Sequence, residues 1–271
     1  MKIDVILITY NQQEFIDRAV QSILQQDIEE GCEVRILVVD DVSTDKTLEI
    51  IQSYEKKSPF PFKYLTKEKN VGYVMNYKQA FEACEGDYVA ILEGDDYWLK
   101  NHIKQHCQFL STHREYSMSM NNITRLDIST GKMRCNWGED DKDVECVDIF
   151  KQLSQGNQLG NLSACVFRGD FVRQIPESFY FLNMADWELG TFMAQFAPIA
   201  ILKESTSVYC VSEKGQWAGL SDTERKRSLM RDIQAMDSFF KGKYHKYCRR
   251  YYLKIKYPFL RKMVRGIKKH F

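Results

Sequence analysis

Three stretches in the first hundred residues, "IDVILITY", "VRILVVDD" and "DYVAIL", carry apolar runs of strand length that do not alternate with polar positions. A strand with one wet face alternates with period two, whereas a continuous apolar run must be covered on both sides. Segments of helical spacing lie between these runs. In "QEFIDRAVQSILQQ", Phe15, Ala19 and Ile23 share a face with Ile16, Val20 and Leu24, the pattern of a helix that buries one stripe. "TLEIIQSYEKK", "VMNYKQAFEAC" and "HIKQHCQFL" read as further helices, and "FKYLT" as a weaker strand. Doubly covered strands joined by helices predict an α/β fold with a mainly parallel sheet flanked by helices.

Beyond Leu110 the alternation loosens. "MSMNNITRLDISTGKMRCNW" predicts strands around a turn at 129–131, and "EDDKDVE" a solvated loop. "DIFKQLSQ" reads as a helix, "LSACVFR" as a strand and "ADWELGTFMAQF" as another helix. "IAILKESTSVYCVS" suggests two short strands, and "DTERKRSLMRDIQAMDSFF" a last helix running into a basic, aromatic tail. The organisation expected is one domain over 1–220 and a helical extension over 221–271.

No apolar run approaches the roughly 20 residues that span a bilayer. The N-terminus "MKIDVILITYNQQE" has a short apolar core and no small-residue cleavage site. It reads as a first strand rather than a signal peptide, so a cytoplasmic location is expected. The eight cysteines form no C-x-x-C pair, which speaks against a zinc site or disulfide framework. Charge is unevenly distributed: twelve of the 38 Lys and Arg residues, and none of the 37 Asp and Glu, fall in 241–271. Such a tail suits an amphipathic segment on an anionic membrane, or a solvated helix packed on the acidic body. No nucleic-acid-binding motif accompanies the charge, so no nucleic-acid partner is expected.

In an open parallel sheet, ligands bind beyond the carboxyl ends of the strands. Four polar clusters fall there: "TYN" (Thr9, Tyr10, Asn11), "DDVSTD" (Asp40, Asp41, Ser43, Asp45), "KNVG" (Lys69, Asn70, Gly72) and "EGDD" (Glu93, Asp95, Asp96). Each has a purely structural reading. Asn11 with Glu14 matches a capping box, Ser43 or Thr44 suits an N-cap, and Asn70 with Gly72 suits a turn. Asp95 or Asp96 suits a cap for the helix after Trp98. Taken together, Asp40, Asp41, Glu93, Asp95 and Asp96 on one edge repel one another unless a cation or hydrogen-bond donors offset them. Hard oxygen ligands suit Mg²⁺ or Mn²⁺, bound through one or two carboxylates plus substrate phosphates. Neither G-x-G-x-x-G nor G-x-x-x-x-G-K-[ST] is present.

"VILITYNQQEFIDRAVQSILQQ", "ILVVDDVSTDKTLEII" and "KNVGYVMNYKQAFEACEGDYVAILEGDDYW" resemble, in unbroken order, the family 2 glycosyltransferases of GT-A (Rossmann-like) fold. The resemblance covers residues 3–110. It continues through "SACVFRGDF", "MADWEL" and "GQWAGLS" to about Leu220. It implies a nucleotide-diphospho-sugar donor (uridine diphosphate by family frequency), a Mn²⁺ or Mg²⁺ ion, and inversion at the anomeric carbon. By position, Thr9, Tyr10 and Asp41 would hold the base, with Asn11, Asp40 and Asn70 on the same donor side. "EGD" stands where the family has its D-x-D motif, so Glu93, Asp95 and Asp96 would contact the metal and the donor ribose or diphosphate. Asp186 in "MADWEL" falls at the catalytic base, its structural alternative being a helix N-cap. Trp187, Gln216 and Trp217 would border the acceptor. A glycan or lipid-linked glycan acceptor, as in bacterial surface polysaccharide synthesis, fits a chain held peripherally at the inner membrane face through 241–271.

The chain departs from the family pattern at four positions. Glu93 replaces the first aspartate of D-x-D, and Val42 replaces a small residue. Cys210 and Ser212 stand where arginine and a metal-binding histidine are usual. Glu93 and the absent histidine at Ser212 support an alternative, a sugar-nucleotide-binding or scaffold protein without turnover. A nucleotidyltransferase would need a glycine-rich basic phosphate loop, and "LITYNQQEF" is neither.

Overall fold

A computed structural model describes residues 1–135, 143–211 and 220–258. The first half alternates as its apolar runs predict. Strand β1 (Lys2–Thr9) leads to helix α1 (Ile16–Leu24), β2 (Glu33–Asp40), α2 (Thr47–Tyr54) and β3 (Phe62–Tyr64). Then come α3 (Tyr73–Glu82), β4 (Tyr88–Glu93), the two-residue β5 (Tyr97–Trp98) and α4 (His102–Thr112). Strands β6 (Met118–Asp127) and β7 (Met133–Cys135) form a hairpin at the predicted turn. They are followed by β8 (Val144–Val147), α5 (Ile149–Gln155), β9 (Cys165–Arg168), α6 (Gly169–Val172) and α7 (Asp186–Ala194). The chain closes with β10 (Ile199–Val211), α8 (Asp222–Phe239) and α9 (His245–Lys256).

The ten strands among the described residues join one sheet, ordered β3-β2-β1-β4-β9-β6-β10-β5, with β7 on β6 and β8 on β10. Strands β3, β2, β1 and β4 pair in parallel, as do β6 and β10. β9 enters antiparallel between β4 and β6 and links the two parallel blocks. One difference from the sequence reading concerns "IAILKESTSVYCVS". It forms a single thirteen-residue strand, whose register against β6 shifts between Leu202 and Ser207. The exposed Lys203 and Glu204 that suggest a break lie in this irregular stretch, and the ladder resumes beyond it.

The continuous apolar runs bury both faces of the sheet. Ile6, Ile8, Leu37, Val39, Val89 and Ile91 pack on one side with residues of α3, α5, α7, α8 and α9. Val5, Leu7, Ile36, Val38, Ala90 and Leu92 pack on the other with α1, α2 and α4. The described part of the tail belongs to this body. Tyr244 and Cys248 are buried in the first core, and Tyr247, Tyr251, Tyr252 and Ile255 pack against it. Lys246, Arg249 and Arg250 face solvent. Among the described residues, no helix is long and apolar enough to cross a membrane.

Candidate active site

The parallel register brings the strand ends together. Thr9 lies opposite Asp40, and Ile8 opposite Glu93. The ladder extends one step further on each side, as Asp41 donates its N–H to Thr9 O (3.0 Å) and Gly94 to Ile8 O (2.9 Å). The polar clusters after β1, β2 and β4 therefore share one edge because the strands before them pair in parallel and in register.

At the ends of β1 and β2, the Asp40 carboxylate accepts the Ser43 N–H at 2.8 Å and also takes the Ser43 hydroxyl. Asp41, 3% exposed, accepts Val71 N–H (2.9 Å) and Gly72 N–H (2.8 Å), one on each carboxylate oxygen. Asn70 returns its amide to Asp41 O at 2.9 Å. The turn at 70–72 is thus fixed against the end of β2. Asn11 does not cap α1. Its backbone adopts φ +50°, and its side chain accepts Thr44 N–H at 2.8 Å, tying the β1 and β2 ends together. Thr9 donates to Gln12 Oε1 at 2.8 Å, and Tyr10 stands 48% exposed at the rim. Lys67, absent from the sequence reading, donates to Asp40 O at 2.8 Å. Burial lowers its proton affinity against the pull of Asp41 and Asp40.

The acidic turn after β4 is shaped by Gly94. A Cβ there would lie 2.4 Å from Gln12 Oε1, 2.8 Å from Thr9 Oγ1 and 2.9 Å from Ile16 Cδ1, so any side chain at this position requires those three side chains to move aside. The three carboxylates have different surroundings. Asp96 has no exposed surface. It accepts the Cys210 N–H at 2.8 Å and the Asn161 amide at 3.0 Å, and burial pushes its carboxyl up to about 7. Glu93 takes the Tyr77 hydroxyl at 3.2 Å and the same Asn161 amide at 3.3 Å. Burial, then the charges of Asp96, Asp95 and Asp186, raise it far above the carboxylate range. Asp95 is raised by burial and drawn back by the Gln12 amide and the Arg18 charge. Arg18 stacks 4.2 Å from the Tyr97 ring centroid and donates to Cys210 Sγ at 2.9 Å.

Among the described residues, no group of three His, Cys, Asp or Glu is arranged to hold a metal ion. Glu93 and Asp96 direct their carboxylate oxygens to Tyr77, Asn161 and Cys210, which leaves Asp95 as the hard-oxygen donor of the turn. One carboxylate fits a divalent ion whose remaining ligands are substrate phosphates, and does not fit an all-protein cage.

Asp186 opens α7, with Ala185 rather than Asp186 at the cap position. Its Oδ2 accepts the Asn157 amide at 3.1 Å; burial raises the carboxyl, and that hydrogen bond opposes the rise. Its charge is felt by Tyr73, Tyr77, Glu93 and Cys165, so Asp186 and the acidic turn face one electrostatic neighbourhood. Glu188, two residues on, reaches back to the Ala185 N–H at 3.0 Å and is pushed by burial to about 8. The structure does not bring Trp187 to the cleft. It is 5% exposed, and its indole N–H is bound by Gln152 O at 3.1 Å. Ser212, Gln216 and Trp217 lie outside the described residues.

Two residues that join the site's halves were missed from sequence. Asn157 and Asn161 lie in "GNQLGN", between α5 and β9, and donate to Asp186 and to the Glu93–Asp96 pair. The polar, glycine-bearing composition of that stretch marks a loop. Its destination follows from the antiparallel entry of β9, which turns its start toward the carboxyl end of β4.

A family model, Glycosyl transferase family 2, matches residues 4–167. An uncharacterized protein of Mycobacterium tuberculosis, Rv1520, is 28% identical over 229 residues, covering 82% of this chain and 62% of the relative. The chain therefore spans about three-fifths of that relative's length. Poly(ribitol-phosphate) beta-N-acetylglucosaminyltransferase TarS of Staphylococcus aureus is 34% identical over 114 residues, 42% of this chain and 19% of TarS. The crystal structure of TarS 1–349 in complex with UDP-GlcNAc shares the fold at TM-score 0.65 and 21% identity, over 87% of this chain and 66% of that one. Mannosyltransferase PcManGT from Pyrobaculum calidifontis, in complex with GDP-Man and Mn²⁺, shares it at TM-score 0.60 and 15% identity, over 88% and 64%.

Proposed function

The chain belongs to glycosyl transferase family 2, and from that premise we propose that it transfers a sugar from a nucleotide-diphospho-sugar to an acceptor hydroxyl, with inversion at the anomeric carbon. The observation that carries this reading is the meeting of two carboxylate sets. The strand-end cluster of Thr9, Asp40, Asp41 and the 93–96 turn shares one sheet edge, and Glu93 of that turn feels the charge of Asp186, which stands on a separate element.

The donor lies along the edge formed by Thr9, Tyr10, Asn11, Asp40, Asp41 and Asn70, its diphosphate directed to Asp95 and Arg18. Arg18 offers positive charge where charge builds on the leaving group. Where Mn²⁺ or Mg²⁺ joins the donor, Asp95 would hold it; such an ion acts as a Lewis acid on the diphosphate oxygens. Asp186 accepts the proton of the acceptor hydroxyl as that oxygen attacks the face opposite the leaving group. Burial that raises its proton affinity makes it a stronger base than a solvated aspartate.

A uridine diphosphate donor draws support from the TarS complex with UDP-GlcNAc, and a polyol-phosphate polymer acceptor from the poly(ribitol-phosphate) in the TarS name. The PcManGT complex is a reminder that the same fold accepts a guanosine nucleotide. The exposed Lys246, Arg249 and Arg250 of α9 suit attraction to an anionic membrane surface by charge, since the aromatic side chains of that helix pack on the body.

Calorimetric titration with UDP, GDP and dTDP, with and without Mn²⁺, tests the donor reading, and transfer assays on Asp186→Asn test the base. Metal-dependent binding of one nucleotide, with turnover lost in Asp186→Asn, is expected. Binding without turnover in the unsubstituted protein would favour the scaffold alternative instead.

A further inference from the structure

The C-terminal helix reaches the base side of the site through a short chain of contacts. α5 ends at Gly156, whose φ of +95° and ψ of −165° suit glycine. A Cβ on Gly156 would also lie 2.1 Å from Tyr251 Oη and 2.4 Å from its Cζ. The phenol of α9 therefore rests on the backbone at the point where α5 stops. One turn further along the same face, Lys254 Nζ donates to Ser154 O at 2.7 Å. Tyr251 also lies 6.0 Å from the Trp187 ring, and Trp187 in turn donates to Gln152 O. Two residues of α9 thus grip the end of α5 and touch the start of α7.

The residue after Gly156 is Asn157. Its Oδ1 accepts the N–H groups of Leu159 (2.9 Å) and Gly160 (3.4 Å), which fixes its side chain, while its Nδ2 donates to Asp186 Oδ2. That bond occupies one oxygen of Asp186 and leaves the other to accept a proton.

We infer that α9 is a working part of the acceptor half of the site: Tyr251 fixes Gly156, and Asn157 is a positioning residue that orients Asp186 and holds its charge. The catalytic meaning of this linkage rests on the reading of Asp186 as the base, although the linkage itself does not. Removing the Asn157 amide takes a hydrogen bond from a half-buried carboxylate. Moving Tyr251 lets the 156–157 turn relax and weakens the same bond at a distance. The groups that share the surroundings of Asp186 are Tyr73 and Tyr77 of α3, Glu93 of β4, Cys165 of β9 and Glu188 of α7. None of them is altered by these changes.

The test is a carbon-13 NMR titration of the Asp186 carboxyl in the full chain, its resonance assigned by its loss in Asp186→Asn. Asn157→Ala, at an exposed position, is expected to raise the midpoint by about one pH unit, the worth of one hydrogen bond to a charged group. Tyr251→Ala is expected to shift it in the same direction, and Tyr251→Phe, which keeps the ring on Gly156 and Trp187, to restore it. An unchanged midpoint in Asn157→Ala overturns the role of Asn157. An unchanged midpoint in folded Tyr251→Ala overturns the role of α9. Should Tyr251→Ala not fold, Gly156→Ala disturbs the same contact from the other side, and the same two outcomes decide. Failure of the base reading looks different: Asp186→Asn would then retain sugar transfer while the midpoint shifts remain.

Discussion

The Asp96 carboxylate accepts the main-chain N–H of Cys210 at 2.8 Å, tying the acidic turn after β4 to strand β10 across 114 positions of sequence. With no exposed surface and a second bond from Asn161, Asp96 serves the fold as much as any ligand. Asp96→Ala would leave the buried Cys210 N–H without a partner and the Asn161 amide with only its longer bond to Glu93, at a cost of about 2–3 kcal/mol. In Asp96→Asn the new side chain still accepts from Cys210. Rotating the Asn161 amide then brings its buried Oδ1, which has no partner, to the new NH₂ group. The loss there is expected to be about 1 kcal/mol. Chemical denaturation of the two variants checks the order, and equal losses would contradict it.

Val42 occupies the left-handed region with φ +63°, between Asp41 and Ser43. A β-branched side chain is strained there, at a cost of 1–2 kcal/mol or more, whereas glycine is not. Val42→Gly is expected to raise stability by about 1 kcal/mol after the added freedom of the unfolded chain is subtracted. Thermal melting measures this directly. A fall in melting temperature would mean that packing of the isopropyl group outweighs the backbone strain.

The apolar runs made the parallel block legible, because "IDVILITY", "VRILVVDD" and "DYVAIL" admit few arrangements other than neighbouring buried strands. Their ends then had to fall on one edge. The sequence could not say which way "LSACVFR" enters the sheet, since a strand covered on both faces reads alike in either direction. Asn157 and Asn161, delivered by the loop before it, were missed for that reason. Nor do adjacent aspartates announce their orientation. Asp95 and Asp96 are alike in sequence, yet Asp96 is tied to Asn161 and Cys210 while Asp95 has Gln12 and Arg18 beside it. Trp187, one position from Asp186, reads as an acceptor neighbour until the helix turns its ring toward Gln152.

Glu188 makes stability depend on pH. Burial, then the charges of Asp232 and Asp186, raise its carboxyl to about 8 from an ordinary value near 4.5. Between these values the folded state holds the proton more tightly than the unfolded chain. Its contribution is therefore fully present below pH 4.5 and lost as pH rises through about 8. Glu188→Gln keeps an oxygen for the Ala185 N–H and carries no charge. Near pH 5 the variant is expected to match the unsubstituted protein, and near pH 9 to exceed it by up to about 4 kcal/mol. Denaturation at both pH values checks the crossover, and a constant difference would rule out the carboxyl as its source.

Asp95 and Arg18 give the sharpest division between fold and ligand binding. Asp95 lies beside Asp96, but the bonds that tie the turn to β10 and Asn161 belong to Asp96. Asp95→Asn is therefore expected to change stability by less than about 1 kcal/mol. If Asp95 holds the cation shared with the diphosphate, the same substitution should abolish the Mn²⁺-dependent part of nucleotide binding. Arg18 approaches the site from α1, braced by Tyr97 and Cys210, and under the proposed donor placement its charge would act on phosphate rather than on the base. Arg18→Ala should accordingly weaken UDP about tenfold or more, in line with loss of a charged hydrogen bond, and leave uridine binding unchanged. Titration of each variant with UDP and with uridine, with and without Mn²⁺, separates the two roles. Equal weakening of UDP and uridine by Arg18→Ala would show that the arginine shapes the pocket instead of meeting the diphosphate.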